Sequence, residues 1–349
     1  MLIQVGPFPP PIGGVSMHLA RLKLHLDQRG VTNRFWSLSA SEDPEHGVRR
    51  TRLQRVPWKL LFQRPGTVVH YHVPGFPAKV RLARFHRSLL AGHRSVFTLH
   101  GDVRPSFLAH PRELVARVYS SFEVVVCVKA GDAAFLREQG VTSRAVDICP
   151  FLPPTAEEDG EPGPETAAFL ARFPHVLCAN GASLVQRDGA ELYGLDLCVE
   201  LLGRLADRPE TGLVFYLAKD NDPAYLAGIR RRARELGVEG RLLLNTVPAP
   251  FYPVIKRSTL LVRPTNTDGD ALSIREALHA GVPVLTSDVV RRPEGCRLFA
   301  NRSLDDLEAV TRRMLGDPLG ERSRLRELPD ASGLEPLLAL YRSLGVREA

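Results

Sequence analysis

The chain has 349 residues, 44% of them hydrophobic, a length and composition that suit a globular protein of two domains rather than one core. No apolar run approaches the roughly 20 residues needed to span a bilayer, and the five cysteines (127, 149, 178, 198, 296) show neither CxxC nor a metal-ligand spacing, which favours reduced, mostly buried thiols in a cytosolic protein. The formal net charge of +7 is uneven: residues 1–150 hold 21 Lys/Arg against 10 Asp/Glu, residues 151–349 hold 25 against 29, so the first half is expected to meet an anionic partner or surface.

The start, MLIQVGPF, lacks the basic and long apolar stretches of a signal peptide and reads as a buried strand. GVSMHLARLKLHLDQRG (14–30) predicts a helix with Met17, Leu19, Leu22, Leu24 and Leu26 partly on one face and Gly30 as its stop. TNRFWSL, GTVVHYHV, RSVFTLH, EVVVCV and SRAVDICP follow as strands, with AKVRLARFHRSLLAG and PRELVARVYSSF as helices between them. At 153–165 the texture changes to PPTAEEDGEPGPE, which reads as an exposed linker. A second alternating run begins at HVLCANG (175–181) and continues through TLLVRPT, ALSIREALHAG and VPVLTSDV to a last helix, LEPLLALYRSLG. Strands separated by helices imply parallel βαβ units. The expected class is therefore α/β, with two Rossmann-like doubly wound domains. The expected divisions are 1–155, a linker over 156–172, 173–330, and a terminal segment 331–349 packing back toward the first domain.

Such sheets bind ligands at the carboxyl ends of their strands. Two loops stand out there. The first, GPFPPPIGGVS (6–16), runs from a strand into a helix opened by Gly13 and Gly14, whose missing side chains would let backbone N–H groups approach an anion. It is neither a P-loop nor a GxGxxG fingerprint, and relief of a tight turn is the competing reading. The second is RPTNTDGDALSIREALHAGVPV (263–284). A strand ends at Pro264, and a helix is expected to start near Asp270 or Ser273, with Ser273 and Glu276 at capping-box spacing and Leu272, Ala277 and Leu278 toward the sheet. The helix start can hold a pyrophosphate, Glu276 can accept ribose hydroxyls, and Asp268 can reach a sugar hydroxyl. Alternatively Asp268 and Asp270 are turn residues and Glu276 a cap.

Four stretches carry a resemblance over almost the whole length: GPFPPPIGG, TLHGD (98–102), YGLDLCVELLGRL, and DGDALSIREALHAGVPV. In them the chain resembles the retaining GT-B glycosyltransferases of the family 4 type. That resemblance implies two domains facing a central cleft and a nucleotide-diphospho-sugar donor. It implies that Gly13 and Gly14 lie near the donor phosphate, that His100 faces the donor sugar, and that Asp268 replaces a glutamate near the sugar hydroxyls. Glu276 matches the ribose-binding glutamate, and amides of Gly269, Asp270, Ala271, Leu272 and Ser273 would hold the diphosphate. The family's Arg and Lys near the start of the second domain are replaced by Ala182 and Tyr193, so substitute charge is expected from Arg187, Lys219, Arg263 or Arg275.

The implied reaction is retaining transfer without a metal or other cofactor, the leaving diphosphate being stabilised by helix N-termini and basic side chains. The acceptor is expected to be a glycan or lipid-linked molecule, in cell-surface polysaccharide or glycoconjugate synthesis. RRTRLQRVPWKLLFQRPG (49–66) and Arg81, Arg84, Arg87 and Arg94 offer a basic surface for peripheral attachment to an anionic membrane, or an ordinary solvated face. No nucleic-acid signature accompanies the charge. An epimerase or hydrolase using His70, His72 and His100, and a non-catalytic nucleotide-sugar binder, are the rival readings.

Overall fold

A computed structural model describes residues 1–10, 14–40, 42–88, 92–187, 189–267, 271–328 and 332–347. The chain divides into two units, Met1–Pro153 with Ser332–Ala349, and Pro154–Ala331. Unit 1 runs β1 (Leu2–Gly6), α1 (Gly14–Gln28), β2 (Asn33–Ser37), β3 (Val48–Arg50), α2 (Val56–Leu61), β4 (Val68–Tyr71), α3 (Phe76–Ser88), β5 (Arg94–Leu99), α4 (Arg104–Ala109), α5 (Arg112–Tyr119), β6 (Val124–Cys127), α6 (Asp132–Glu138) and β7 (Arg144–Asp147). Unit 2 contributes α7 (Pro164–Arg172), β8 (His175–Gly181), β9 (Gln186–Arg187), β10 (Ala190–Glu191), α8 (Leu195–Arg204), β11 (Thr211–Leu217), α9 (Pro223–Glu235), β12 (Leu242–Asn245), α10 (Tyr252–Arg257), β13 (Leu260–Arg263), α11 (Leu272–His279), β14 (Val284–Ser287), β15 (Arg297–Phe299), α12 (Leu304–Gly316) and α13 (Pro318–Arg326). The last helix, α14 (Leu334–Ser343), belongs to unit 1.

The sheet of unit 1 is parallel, in the order β3-β2-β1-β4-β5-β6-β7. Alternation along each strand sends side chains to two cores. Ile3, Val5, Val69, Tyr71, Phe97 and Leu99 join one core with residues of α2, α3, α5 and α6. Leu2, Val68 and Val96 join the other with α1 and α14, whose Leu334, Leu337, Leu338 and Tyr341 are buried. The second face is not wholly apolar. Gln4, His70, His72 and Thr98 are buried on it and hydrogen-bonded among themselves and to Tyr341.

The main sheet of unit 2 is also parallel, in the order β12-β11-β8-β13-β14-β15. Both main sheets therefore reverse strand order once, between β1 and β4 in unit 1 and between β8 and β13 in unit 2. Reversal splays the flanking loops apart and opens a crevice at the carboxyl ends of those strands.

The stretch 153–165, expected to be an exposed linker, is mostly exposed, and the division 156–172 also contains a helix. Asp159 and Glu161 pair with Lys256 and Arg257 of α10, each at 2.5 Å. Residues from Pro164 form α7, whose Thr166 is buried with Oγ1 2.9 Å from Tyr216 Oη. Pro at the first helical position and Phe169 and Phe173 against Gly212 explain the helix.

Candidate functional sites of the two units

In unit 2 the reversal lies between β8 and β13. Arg263 is the last residue of β13, and its Nη1 reaches across to β8, donating to Asn180 O at 3.0 Å and Asn180 Oδ1 at 3.2 Å. Its guanidinium also lies 5.2 Å from the Tyr193 ring centroid. Tyr193 in turn packs so closely on Gly181 that a Cβ there would stand 3.0 Å from the ring. Arg263 is thus a buried cation on the floor of the crevice, held by a carbonyl, an amide oxygen and an aromatic face.

The walls come from α8 and α11. Gly194, the N-cap of α8, has φ +71, and a Cβ on it would sit 2.5 Å from Pro264 O. Only glycine lets α8 begin this close to the β13 turn. Buried Glu191 sits at the start of α8 and accepts from Tyr193 N, just before the helix, at 3.1 Å and from Leu195 N, its first amide, at 3.0 Å. Burial raises the Glu191 carboxyl, and those two amide bonds oppose the rise. The start of α8, where the resembling family carries a lysine, therefore holds its own carboxylate.

Helix α11 begins at Leu272, with Ala271 as its N-cap and no side-chain cap bond. Two expectations are corrected here. Ser273 is not the cap but lies buried inside the first turn, and Leu272 is 41% exposed instead of facing the sheet. A start at Leu272 gives the helix a phase that turns Ser273, Ile274, Glu276 and Ala277 inward. Glu276 is a buried carboxylate one turn into the helix, and Gly281 ends the element with φ +65. Asp268, Gly269 and Asp270 lie outside the described residues, as does Gly13.

Among the proposed substitute charges, Lys219 is exposed just past β11 and Arg187 is exposed in the β9–β10 hairpin. The Arg187 carbonyl accepts from Asn266 Nδ2 at 3.0 Å, which ties that hairpin to the loop before α11. Arg275 is half-buried on α11. Arg292 was not singled out by sequence. After β14 it bonds Ser287 Oγ at 3.2 Å and Thr265 Oγ1 at 3.3 Å, placing a second guanidinium at the same sheet edge. Its only sequence signal is membership of the basic pair Arg291-Arg292.

In unit 1 the reversal lies between β1 and β4. Gly14 opens α1 beside it, and a Cβ there would meet nothing within 4 Å, so no contact among the described residues requires the glycine. His72 and His100 follow β4 and β5, and His72 Nδ1 is 2.8 Å from His100 Nε2. His72 Nε2 is 2.9 Å from Gln4 Oε1. The His18 ring, on α1, lies 5.3 Å from that of His100. Burial is the main cause holding His100 down at about 3 and His18 at about 4, and it pushes His70 and His72 well below the ordinary range. All four rings are neutral at pH 7.

The basic stretch 49–66 divides between core and surface. Val56 and Leu60 are buried and Leu53 packs on the same core, while Trp58, Leu61 and Phe62 are 58%, 45% and 87% exposed. Lys59 lies over the Trp36 ring. Arg49, Arg50, Arg52, Arg55 and Arg64 are exposed, and the sequence carries no acid between Glu45 and Asp102. No helix among the described residues is long and apolar enough to cross a membrane.

No protein-family model matches the sequence, and no curated protein does. Solved structures match over nearly the whole length. The chain is similar to Anabaena Alr3699/HepE in complex with UDP, at 12% identity, covering 98% of this chain and 99% of that one, with a TM-score of 0.66. It is similar to a glycosyltransferase from Rickettsia africae at 10% identity, 98% of both chains and a TM-score of 0.70. It is also similar to the UDP-forming α,α-trehalose-phosphate synthase of Burkholderia xenovorans in complex with glucose-6-phosphate, at 14% identity, 99% of both chains and a TM-score of 0.63. At these identities the likeness establishes the fold.

Proposed function

We propose that this chain, which has the GT-B fold, is a retaining, metal-independent glycosyltransferase of the family 4 type that takes its sugar from a nucleotide diphosphate. The observation that carries the reading is the unit 2 crevice. Buried Arg263 lies on its floor, bonded to Asn180, and buried Glu276 stands one turn behind the α11 start. A diphosphate at that helix start would meet free amides and the positive end of the helix dipole, and Glu276 would accept hydroxyls from the ribose. Arg263, with Arg292 nearby, supplies positive charge where the resembling family places its Arg and Lys. Two of the similar structures were determined with UDP and with UDP-glucose, which supports a nucleotide-sugar donor. The acceptor would be a glycan or a lipid-linked molecule.

Positive charge already fixed in the crevice is the reason to assign departure of the nucleotide diphosphate to arginines and amides. In retaining transfer of this kind the bond from the anomeric carbon to the diphosphate oxygen breaks as the acceptor oxygen attacks the same face. The acceptor proton passes to the departing phosphate oxygen. The protein's task is then placement and charge stabilisation, and no protein nucleophile is called for.

Peripheral membrane attachment is part of the proposal. Trp58, Leu61 and Phe62 are exposed within a stretch of sequence, 46–101, that carries Lys and Arg but no Asp or Glu, the composition that suits an anionic lipid interface.

The test is a nucleotide-sugar panel with and without acceptor, applied to the wild type, Glu276→Ala and Asp268→Ala. Nucleotide release that requires acceptor, weakened in both variants, is expected. Donor binding and turnover unchanged in both would remove the assignment. Isomerised sugar would favour the epimerase reading, and binding without release the non-catalytic one.

A further inference from the structure

The polar row on the α14 face of unit 1 forms one continuous hydrogen-bonded chain. Gln4 Nε2 donates to Tyr341 Oη at 2.8 Å, so the single Tyr341 proton goes to His70 Nδ1, 2.6 Å away. His70, being neutral, then carries its proton on Nε2 and donates to Thr98 Oγ1 at 2.6 Å. On the other side Gln4 Oε1 can only accept, so His72 carries its proton on Nε2. The bare His72 Nδ1 must therefore accept from His100 Nε2–H. His100 is left with an unprotonated Nδ1. Independently, His18 Nδ1 is 2.8 Å from Pro150 O, a pure acceptor, so His18 is protonated at Nδ1 and bare at Nε2. Neither bare nitrogen meets a donor among the described residues.

We propose that Tyr341, Gln4 and His72 are positioning residues that hold His100 as its Nε2–H tautomer, and that His100 Nδ1 and His18 Nε2 together accept hydrogen bonds from the hydroxyls of a neutral sugar. The inference rests on the reading of this edge as sugar-handling, but the tautomer assignment does not. Two bare nitrogens attract O–H groups and repel phosphate or carboxylate oxygens. The chain also reaches from the site to the last helix, where Tyr341 Oη accepts from Gln4 Nε2 and so fixes which end of that amide faces His72.

Long-range ¹H–¹⁵N spectra of the full-length protein at pH 7, assigned with His100→Gln and His18→Gln, read the tautomers directly. His100 is expected to show a bare Nδ1 and His18 a bare Nε2. Gln4→Met should turn His100 into a tautomeric mixture, and Tyr341→Phe, which leaves the amide free to rotate, should do so to a smaller degree. Glucose should shift both bare-nitrogen resonances and inorganic phosphate neither. In transfer assays Gln4→Met should lower kcat/KM about two- to tenfold, mainly through KM. An Nδ1–H on wild-type His100, an unchanged tautomer in both variants, or phosphate shifting the resonances as glucose does would overturn the inference. If no nucleotide sugar binds while the tautomers are as stated, the transferase reading fails and the relay stands.

Discussion

Replacing Gly194 with alanine should damage unit 2 out of proportion to one methyl group. Gly194 has φ +71 and ψ 32 at the N-cap of α8. For an L-residue that left-handed conformation costs roughly 1–2 kcal/mol. The new Cβ would also lie 2.5 Å from Pro264 O and 2.6 Å from Pro264 Cγ, so strand end and helix start must separate by about 1 Å to restore contact distance, an overpacking cost of about 1–3 kcal/mol. The two add to about 2–5 kcal/mol, which in a unit of this size lowers Tm by roughly 5–15 °C. Because Pro264 leads directly into the loop before α11, nucleotide affinity should fall as well. The assay is denaturant unfolding with a nucleotide thermal-shift series, with Gly228→Ala as control. Gly228 lies within α9 with nothing within 4 Å of a built Cβ, so there the same change should stabilise by about 0.5–1 kcal/mol. A Gly194→Ala destabilisation below ~0.5 kcal/mol with unchanged nucleotide affinity would refute the claim that this glycine exists to bring α8 against Pro264.

Arg263→Met should remove both Asn180 bonds and the cation over Tyr193, destabilising unit 2 by about 1–3 kcal/mol and weakening nucleotide diphosphate more than nucleoside, as calorimetry with UDP and uridine would show. Unit 1 should lose stability in acid. His18 and His100 titrate near 4 and 3 when folded, so below the unfolded value of 6.5 the unfolded chain takes up protons first. Stability should therefore fall between pH 6.5 and 4, on the order of 3 kcal/mol for His18 alone, and denaturation at pH 7 and 4.5 should show a smaller difference in His18→Phe. Replacing Trp58, Leu61 and Phe62 together by serine should abolish co-sedimentation with anionic liposomes while leaving the fold intact, since these side chains lie outside the core. Equal sedimentation of the wild type with neutral and anionic vesicles would count against the basic flank.

The longer parallel strands were legible because both their faces are buried. HVLCANG coincides with β8, and TLLVR ends where β13 ends. Two- and three-residue strands such as β3, β9, β10 and β15 carry too few side chains to show a period. The start of α11 was misplaced by one to two residues because Ser273 and Glu276 have capping spacing, yet packing draws both into the core and leaves the cap to Ala271. Alternation in Val68-Val69-His70-Tyr71-His72 marks two histidines on one face, but their partners Gln4 and Tyr341 lie 66 and 271 positions from His70. Nothing local announces that pairing. Arg292 was missed for the same reason: its partners, Ser287 and Thr265, belong to other strand ends.

The return of α14 to unit 1 gives the two units different histories on the ribosome. Unit 2 is one uninterrupted segment and can complete its core as soon as residue 331 has emerged. Unit 1, synthesised first, must wait for the last residues, with Gln4 and His70 lacking the phenol that joins them and one face of its sheet lacking Leu334, Leu337 and Leu338. The order of folding is then the reverse of the order of synthesis. A chain ending after residue 331 should show native-like hydrogen-exchange protection in β8, β11 and β13, but not in β1 and β4.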